Sequence, residues 1–189
     1  MVDVIRRHMF ATVVTSSGGE VMASHLPFVF DASRGEHGTL YAHMARANQQ
    51  SAVIGQGEVL VMFTGPHAYI SPSWYADRAT APTWDYVAVH CYGMPRVHSD
   101  EEAEQNIQRL IDVVEASHER PWSMTELRPD EVRAMVRNVV SFEIPLTRVE
   151  GKFKLNQGEK RDRTATAVAQ LEQQGDAALA AYIRRYNDL

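Results

Sequence analysis

Residues 84–98 constrain this chain more than any other stretch. Trp84, Tyr86, Ala88, His90 and Tyr92 alternate with Asp85, Val87, Val89 and Cys91, a period of two that an extended strand turns into two distinct faces. The pattern predicts one long barrel-type strand from Trp84 to His98, with Gly93 as a bulge. Candidate partners surround it. Phe10–Thr15 and Val21–Phe30 flank Ser16-Ser17-Gly18-Gly19, a hairpin whose paired glycines supply positive φ. Gly38–Met44 reads as a third strand, residues 48–54 as a short helix, and Glu58–Phe63 as a strand that Gly65-Pro66 is expected to stop. Val139–Val149 returns as the last strand, Pro145 marking an edge or a bulge.

Between strands the character changes. Residues 67–82 are dense in Pro, Ser, Tyr and Trp and read as a long ordered loop, part of a site or an interface. Ser99 and Glu102 form a capping box that opens a helix over about 100–118, with Ile107, Leu110, Ile111 and Val114 on its inner face. Pro129-Asp130-Glu131 opens a shorter one with Val132, Met135 and Val136 inward. After Gly151 a polar, Ala- and Gln-rich segment, 162–186, reads as two helices broken at Gly175. The fold class is mainly β (α+β): an antiparallel, Greek-key-like barrel over residues 1–155 with peripheral helices, and a helical tail over 156–189 packing on the barrel or on a second subunit.

Charge and cysteine content exclude several functions. Nineteen Lys+Arg against 24 Asp+Glu leave a net charge of −5, the wrong sign for a protein held to nucleic acid by phosphate contacts, and no basic stripe or helix-turn-helix pair is visible. Direct DNA binding is therefore not expected. A single cysteine, Cys91, rules out an intramolecular disulfide and any Cys-rich metal site. Residues 1–8 lack a signal-peptide apolar stretch, and no apolar run approaches the roughly 20 residues of a membrane-spanning helix. A soluble, cytoplasmic protein is expected. The phosphate-binding, serine-hydrolase and zincin motifs are missing, and the eight histidines are not paired at metal-ligand spacing.

Three stretches carry chemistry-bearing side chains. In His43-Met44-Ala45-Arg46-Ala47-Asn48, at a strand-to-helix junction, an Arg fork can meet the phosphate of a cofactor; equally, Arg46 can pair with a surface carboxylate while Asn48 caps the turn and His43 packs in the barrel. Pro82-Thr83-Trp84-Asp85-Tyr86 delivers indole and phenol rings to one strand face, as a flat heteroaromatic ligand or a core stripe requires. Arg148 to Leu155, with Lys152 and Lys154 flanking Phe153, reads as a basic turn after the last strand, suited to an anion or simply solvated.

Taken in order, Ala23-Ser24-His25-Leu26-Pro27, Ala42 to Asn48, Gly65-Pro66-His67-Ala68-Tyr69-Ile70-Ser71-Pro72-Ser73-Trp74-Tyr75, Pro82 to Tyr86 and Glu150-Gly151-Lys152-Phe153-Lys154-Leu155 resemble the PaiB-type negative transcriptional regulator family, also described as FMN-binding. The resemblance runs from about Phe10 to about Leu155. It implies an FMN-binding split β-barrel related to pyridoxamine-phosphate oxidase and small flavin reductases, a cytoplasmic homodimeric flavoprotein with FMN at the subunit interface. By the same analogy Arg46 and Asn48, with Thr15, Ser24 and His25, line the phosphate and ribityl side, and His43 is a further cofactor-binding residue. Thr83, Trp84 and Tyr86, from the other subunit, face the ring, and Lys152 and Lys154 are further candidates. No metal is implied. The alternative within this fold is a flavin-dependent oxidoreductase of the flavin reductase, pyridoxamine-phosphate-oxidase-like or haem-utilisation-like kind, with His43, His67 or His90 as proton donor. Gln49-Gln50 after Asn48, and Asp85 within the Trp motif, depart from the family pattern.

Overall fold

The computed structural model describes residues 1–189. A short helix α1 (Val2–Arg7) precedes β1 (Phe10–Ser17) and β2 (Glu20–Pro27), which pair antiparallel from Phe10↔Pro27 to Ser17↔Glu20 around the Gly18-Gly19 turn. Next come β3 (Val29–Asp31), β4 (Thr39–Ala45), β5 (Val59–Ile70), β6 (Thr83–Gly93), β7 (Arg96–Val97) and, after helices α2 (Asp100–Glu115) and α3 (Pro129–Arg137), β8 (Val139–Lys154). Helices α4 (Arg161–Gln174) and α5 (Ala177–Tyr186) end the chain. The strand order is β2-β1-β5-β6-β8-β4-β3, with β7 also on β8. Only Phe28 separates β2 from β3, although they stand at opposite ends of that order. A strand that leaves one end of a sheet and re-enters at the other closes it, which is how a barrel removes its open edges.

Two compact units divide the chain: Met1–Phe63 with His90–Glu150, and Thr64–Val89 with Gly151–Leu189. In the first, Phe28 is fully buried and meets Phe63 and Phe142 edge-on, at centroid distances of 6.0 and 6.5 Å. Edge-to-face contact sets the positive ring edge against the negative face of its neighbour. Ala103 and Ile107 of α2 pack with Val132 and Val136 of α3 and with Met124 in a satellite core. The Ser99/Glu102 capping box forms as expected, but α2 ends at Glu115 and Val114 is exposed. Of the expected inner face, Ile107 is buried and Ile111 packs against the satellite core, and Ala103 and Asn106 complete it. Asn106 Nδ2 donates to Ala42 O (2.9 Å) and Ser141 Oγ (2.7 Å), fixing α2 to β4 and β8 by hydrogen bonds where the sequence showed only an apolar stripe.

Buried charge in this unit is fully partnered. Glu143 of β8 accepts from Arg96 Nε (3.0 Å) and Arg34 Nη1 (3.2 Å), with His98 Nε2 at 3.6 Å. Burial alone would raise the Glu143 pKa; the two guanidinium groups overcome it and hold the carboxyl below its ordinary range.

In the second unit the buried residues of α4, Thr164, Ala167, Val168 and Leu171, recur at helical spacing. Gly175, at φ 93°, ends that helix with Asp176 N donating to Leu171 O (2.8 Å). Phe153 of β8 stacks on Tyr186 of α5 at 5.4 Å.

Several local expectations change. β5 does not stop at Gly65-Pro66 but continues to Ile70, because its β1 ladder covers only Leu60–Met62 and leaves the later residues a free side for a proline. Its burial phase slips there, from Val59, Val61, Phe63 and Gly65 buried to Ala68 and Ile70 buried. The strand predicted to reach His98 ends at Gly93, followed by Met94-Pro95 and the short β7. Pro145 lies within the interior strand β8, opposite Thr39, at the end of the β4 ladder. Residues 148–154 are strand rather than turn, and residues 49–52 form one 3₁₀ turn.

Candidate functional site

In the first unit the junction after β4 gathers most of the expected phosphate-side residues. Asn48 caps the 3₁₀ turn, its side-chain oxygen accepting from Gln50 N (2.9 Å), while its Nδ2 donates to Ser24 Oγ on β2 (2.8 Å). Gln50 is 1% exposed. Its Nε2 reaches Val13 O (3.2 Å), Thr15 Oγ1 (3.1 Å) and Met22 O (3.3 Å), so one amide ties the turn to both strands of the hairpin. Thr15, Ser24 and Asn48 are thereby joined through a residue the sequence marked only as a departure.

Arg46 is not paired with a carboxylate. Its Nε donates to Arg137 O and its Nη2 to Val139 O, both at 2.8 Å, which pins the α3–β8 junction and leaves Nη1 uncommitted. His25 is exposed and stacks on Phe10 at 6.2 Å. His43 is half-buried, and desolvation lowers its pKa, so its ring is neutral near pH 7.

In the second unit the ring-side candidates lie on β6. Trp84 is 55% exposed and Tyr86 half-buried, both on the outer face. The phase slip in β5 turns His67 and Tyr69 outward beside Trp84, at centroid distances of 6.3 and 6.1 Å. With Trp74, Ser71, Gln174 and Asp176 they line a groove of about 480 Å³. Sequence spacing could not find this wall, since the slip that makes it is invisible in composition. Lys154, not the exposed Lys152, engages the motif: its Nζ donates to Thr83 Oγ1 and to Trp84 O (2.6 Å).

Asp85 lies under Trp84, 1% exposed, on the face with Val87, Val89 and Cys91. Its Oδ2 has no hydrogen-bond partner, and Lys154 Nζ is 3.9 Å from Oδ1. Desolvation pushes its pKa up to about 6, against the pull of the lysine. Burial likewise pushes the Cys91 thiol up to about 12, which leaves it protonated and unreactive.

A flavin phosphate ester needs cationic and hydroxyl donors, and its ribityl chain needs neutral acceptors and donors. The Arg46 Nη1 group, the Ser24 hydroxyl proton and two buried atoms without partners, Gln50 Oε1 and His43 Nδ1, meet those needs within one unit. The residues present fit such a group. No cluster of His, Cys, Asp and Glu is arranged to hold a metal ion, and no helix is long and apolar enough to cross a membrane.

Strand order and barrel closure define the class as a mainly β, antiparallel split barrel with peripheral helices. Residues 1–148 match the family described as "Putative FMN-binding domain", and the chain belongs to that family. It is 32% identical over 169 residues to "Protease synthase and sporulation protein PAI 2" of Bacillus subtilis (strain 168), spanning 89% of this chain and 81% of the relative, which makes it PaiB-type. An uncharacterized protein of Emericella nidulans is 32% identical over 174 residues, 72% of this chain and 69% of that one. Among solved structures, the FAD and heme binding protein from Mycobacterium smegmatis superposes with a TM-score of 0.62 at 16% identity, covering 87% of this chain and 75% of that one. A flavocytochrome from Azotobacter vinelandii gives 0.59 at 12%, covering 86% and 72%. At those identities the likeness is one of fold.

Proposed function

We propose that the chain is a flavin-binding homodimer that acts in PaiB-type negative regulation, with FMN held where two copies meet. The observation that carries this reading is the junction after β4. Asn48, Ser24 and Gln50 are fixed by one another and by the hairpin, and Arg46 by the α3–β8 junction, yet together they retain the donors and acceptors a phosphorylated polyol needs. Arg46, Ser24 and Asn48, with Thr15, His25 and His43, serve the phosphate and ribityl chain. Thr83, Trp84 and Tyr86 of a second copy serve the ring, and Lys154 holds the backbone that presents Trp84. Lys152 supplies positive charge nearby in sequence. A flavin so held can exchange a hydride or single electrons at its ring; the protein's part is to orient it and exclude water.

Regulation through direct DNA contact is disfavoured. The short-turned helix pair, α4 and α5, presents Asp176, Ala177 and Ala178 at the start of its second helix, where no Lys or Arg is placed to meet phosphate. Helices α2 and α3 open on acidic turns, Asp100–Glu102 and Asp130-Glu131, which repel phosphate. The groove beside Trp84 favours a second reading, a flavin-dependent oxidoreductase, because it leaves room for another ligand. NADH or NADPH oxidation by FMN-loaded protein no faster than by free FMN would exclude that version.

Titration with FMN, followed by flavin fluorescence and by mass in solution, tests the main reading. A dimer should bind FMN, with affinity lowered about tenfold or more by Arg46→Ala and by Trp84→Ala. A monomer, or absence of binding, would overturn it.

A further inference from the structure

We propose that the groove lined by Tyr69, Trp74, Trp84 and Asp176 is a binding site for a small quaternary ammonium group. Its walls have a specific chemistry. Trp84 and Tyr69 are 55% and 44% exposed, and their rings meet at 64°, with His67 tilted 37° to the indole. Rings set at such angles form a corner. A planar ligand can lie flat on only one of them, whereas a near-spherical trimethylammonium group touches two aromatic faces at once, each attracting it through the negative face of the ring.

The charge in the groove points the same way. Asp176 contributes the single carboxylate, and no Lys or Arg lines the space. Although Asp176 stands at the N-cap position of α5, its side chain makes no cap hydrogen bond, and it forms no ion pair. It is an uncommitted anion facing an aromatic wall. Gln174, His67 and Ser71 add acceptors that a primary amine could also use, so the choice of a quaternary group rests on the exposed aromatic walls, which a trimethylammonium group covers and a small hydrated amine does not. A volume of about 480 Å³ admits such a head group with a short tail. The inference does not rest on the flavin reading, although both call on Trp84, so the test is run with and without FMN.

Calorimetric titration of the full chain, without flavin and with FMN added, should compare choline with 3,3-dimethyl-1-butanol, its uncharged isostere, at constant ionic strength. Choline is expected to bind about tenfold tighter than the alcohol, in both states. Asp176→Asn should weaken choline several-fold and leave the alcohol unchanged. Tyr69→Leu should remove the preference while its thermal midpoint, measured alongside, stays at the parent value. Equal affinity for the two probes, or no effect of Asp176→Asn, would overturn the proposal. So would displacement of choline by FMN, because the groove would then be the flavin ring's own site. If choline binds and FMN does not, the flavin reading fails and this one stands.

Discussion

Asp85→Asn tests the most costly feature of the structure. The parent carboxyl has its pKa pushed from 3.8 to about 6 by desolvation, with Oδ2 lacking any partner. In the unfolded chain it titrates near 3.9. Between those values the folded protein binds the proton more tightly than the unfolded one, so parent stability falls as pH rises through this window and the full penalty is present above about pH 6. A shift of about two units corresponds to about 3 kcal/mol. The amide has no charge to desolvate, but an unpartnered neutral group still costs roughly 1–3 kcal/mol.

The two effects separate by pH. Urea unfolding of parent and variant at a series of pH values, followed by far-ultraviolet circular dichroism, yields the difference in unfolding free energy, from which groups common to both proteins cancel. That difference should shift in favour of Asp85→Asn by roughly 2–2.5 kcal/mol between pH 4 and pH 8, leaving the variant equal to or more stable than the parent at the alkaline end. A difference independent of pH would refute the reasoning. It would mean that the ionised carboxylate is as well solvated in the fold as outside it, by Lys154 or by water.

Gly93→Ala should cost about 2–3 kcal/mol in the same assay, because a Cβ there would collide with the Pro145 carbonyl and come within 2.8 Å of Ile144 Cγ2, and backbone cannot step aside. Arg46→Lys keeps the charge but loses the fork that reaches Arg137 O and Val139 O, so flavin-free protein should lose about 1–2 kcal/mol, read as a lowered urea midpoint. Cys91, fully buried with its pKa near 12, should react with an aromatic disulfide reagent at pH 8 only at the rate of unfolding; rapid native labelling would contradict its placement.

The elements legible in the sequence were those written in local chemistry. The Gly18-Gly19 hairpin, the Ser99/Glu102 capping box, the Gly175 break and the alternation of β6 each depend on neighbours two to four residues apart. What local pattern could not supply was context set by distant strands. Gly65-Pro66 reads as a stop, yet whether a proline ends a strand depends on whether a partner needs its missing N–H, and the β1 ladder ends before it. On α2 the apolar stripe finds Ile107 and Ile111 but not Asn106, whose anchoring role depends on two acceptors from the distant strands β4 and β8.

The two departures from the family pattern behave in opposite ways, and the difference lies in hydrogen-bond arithmetic. Gln50 is buried, but its amide nitrogen finds three acceptors, so replacing a local signal with a longer side chain tied the turn to the hairpin and left one oxygen over. Asp85 is buried on an otherwise apolar face with one charged neighbour at 3.9 Å and an oxygen that meets nothing. A neutral amide can satisfy most of its capacity against backbone; a carboxylate accepts only, and buried backbone N–H groups in a strand are already spent on the ladder. Asp85 is therefore held at a cost, directly beneath the Thr83-Trp84 backbone that Lys154 fixes. Without the carboxylate, Lys154 loses its only ion-pair partner while keeping its bonds to Thr83 and Trp84. The charge at position 85 thus bears on the exposed indole from the buried face of β6, through the lysine that holds the Trp84 backbone.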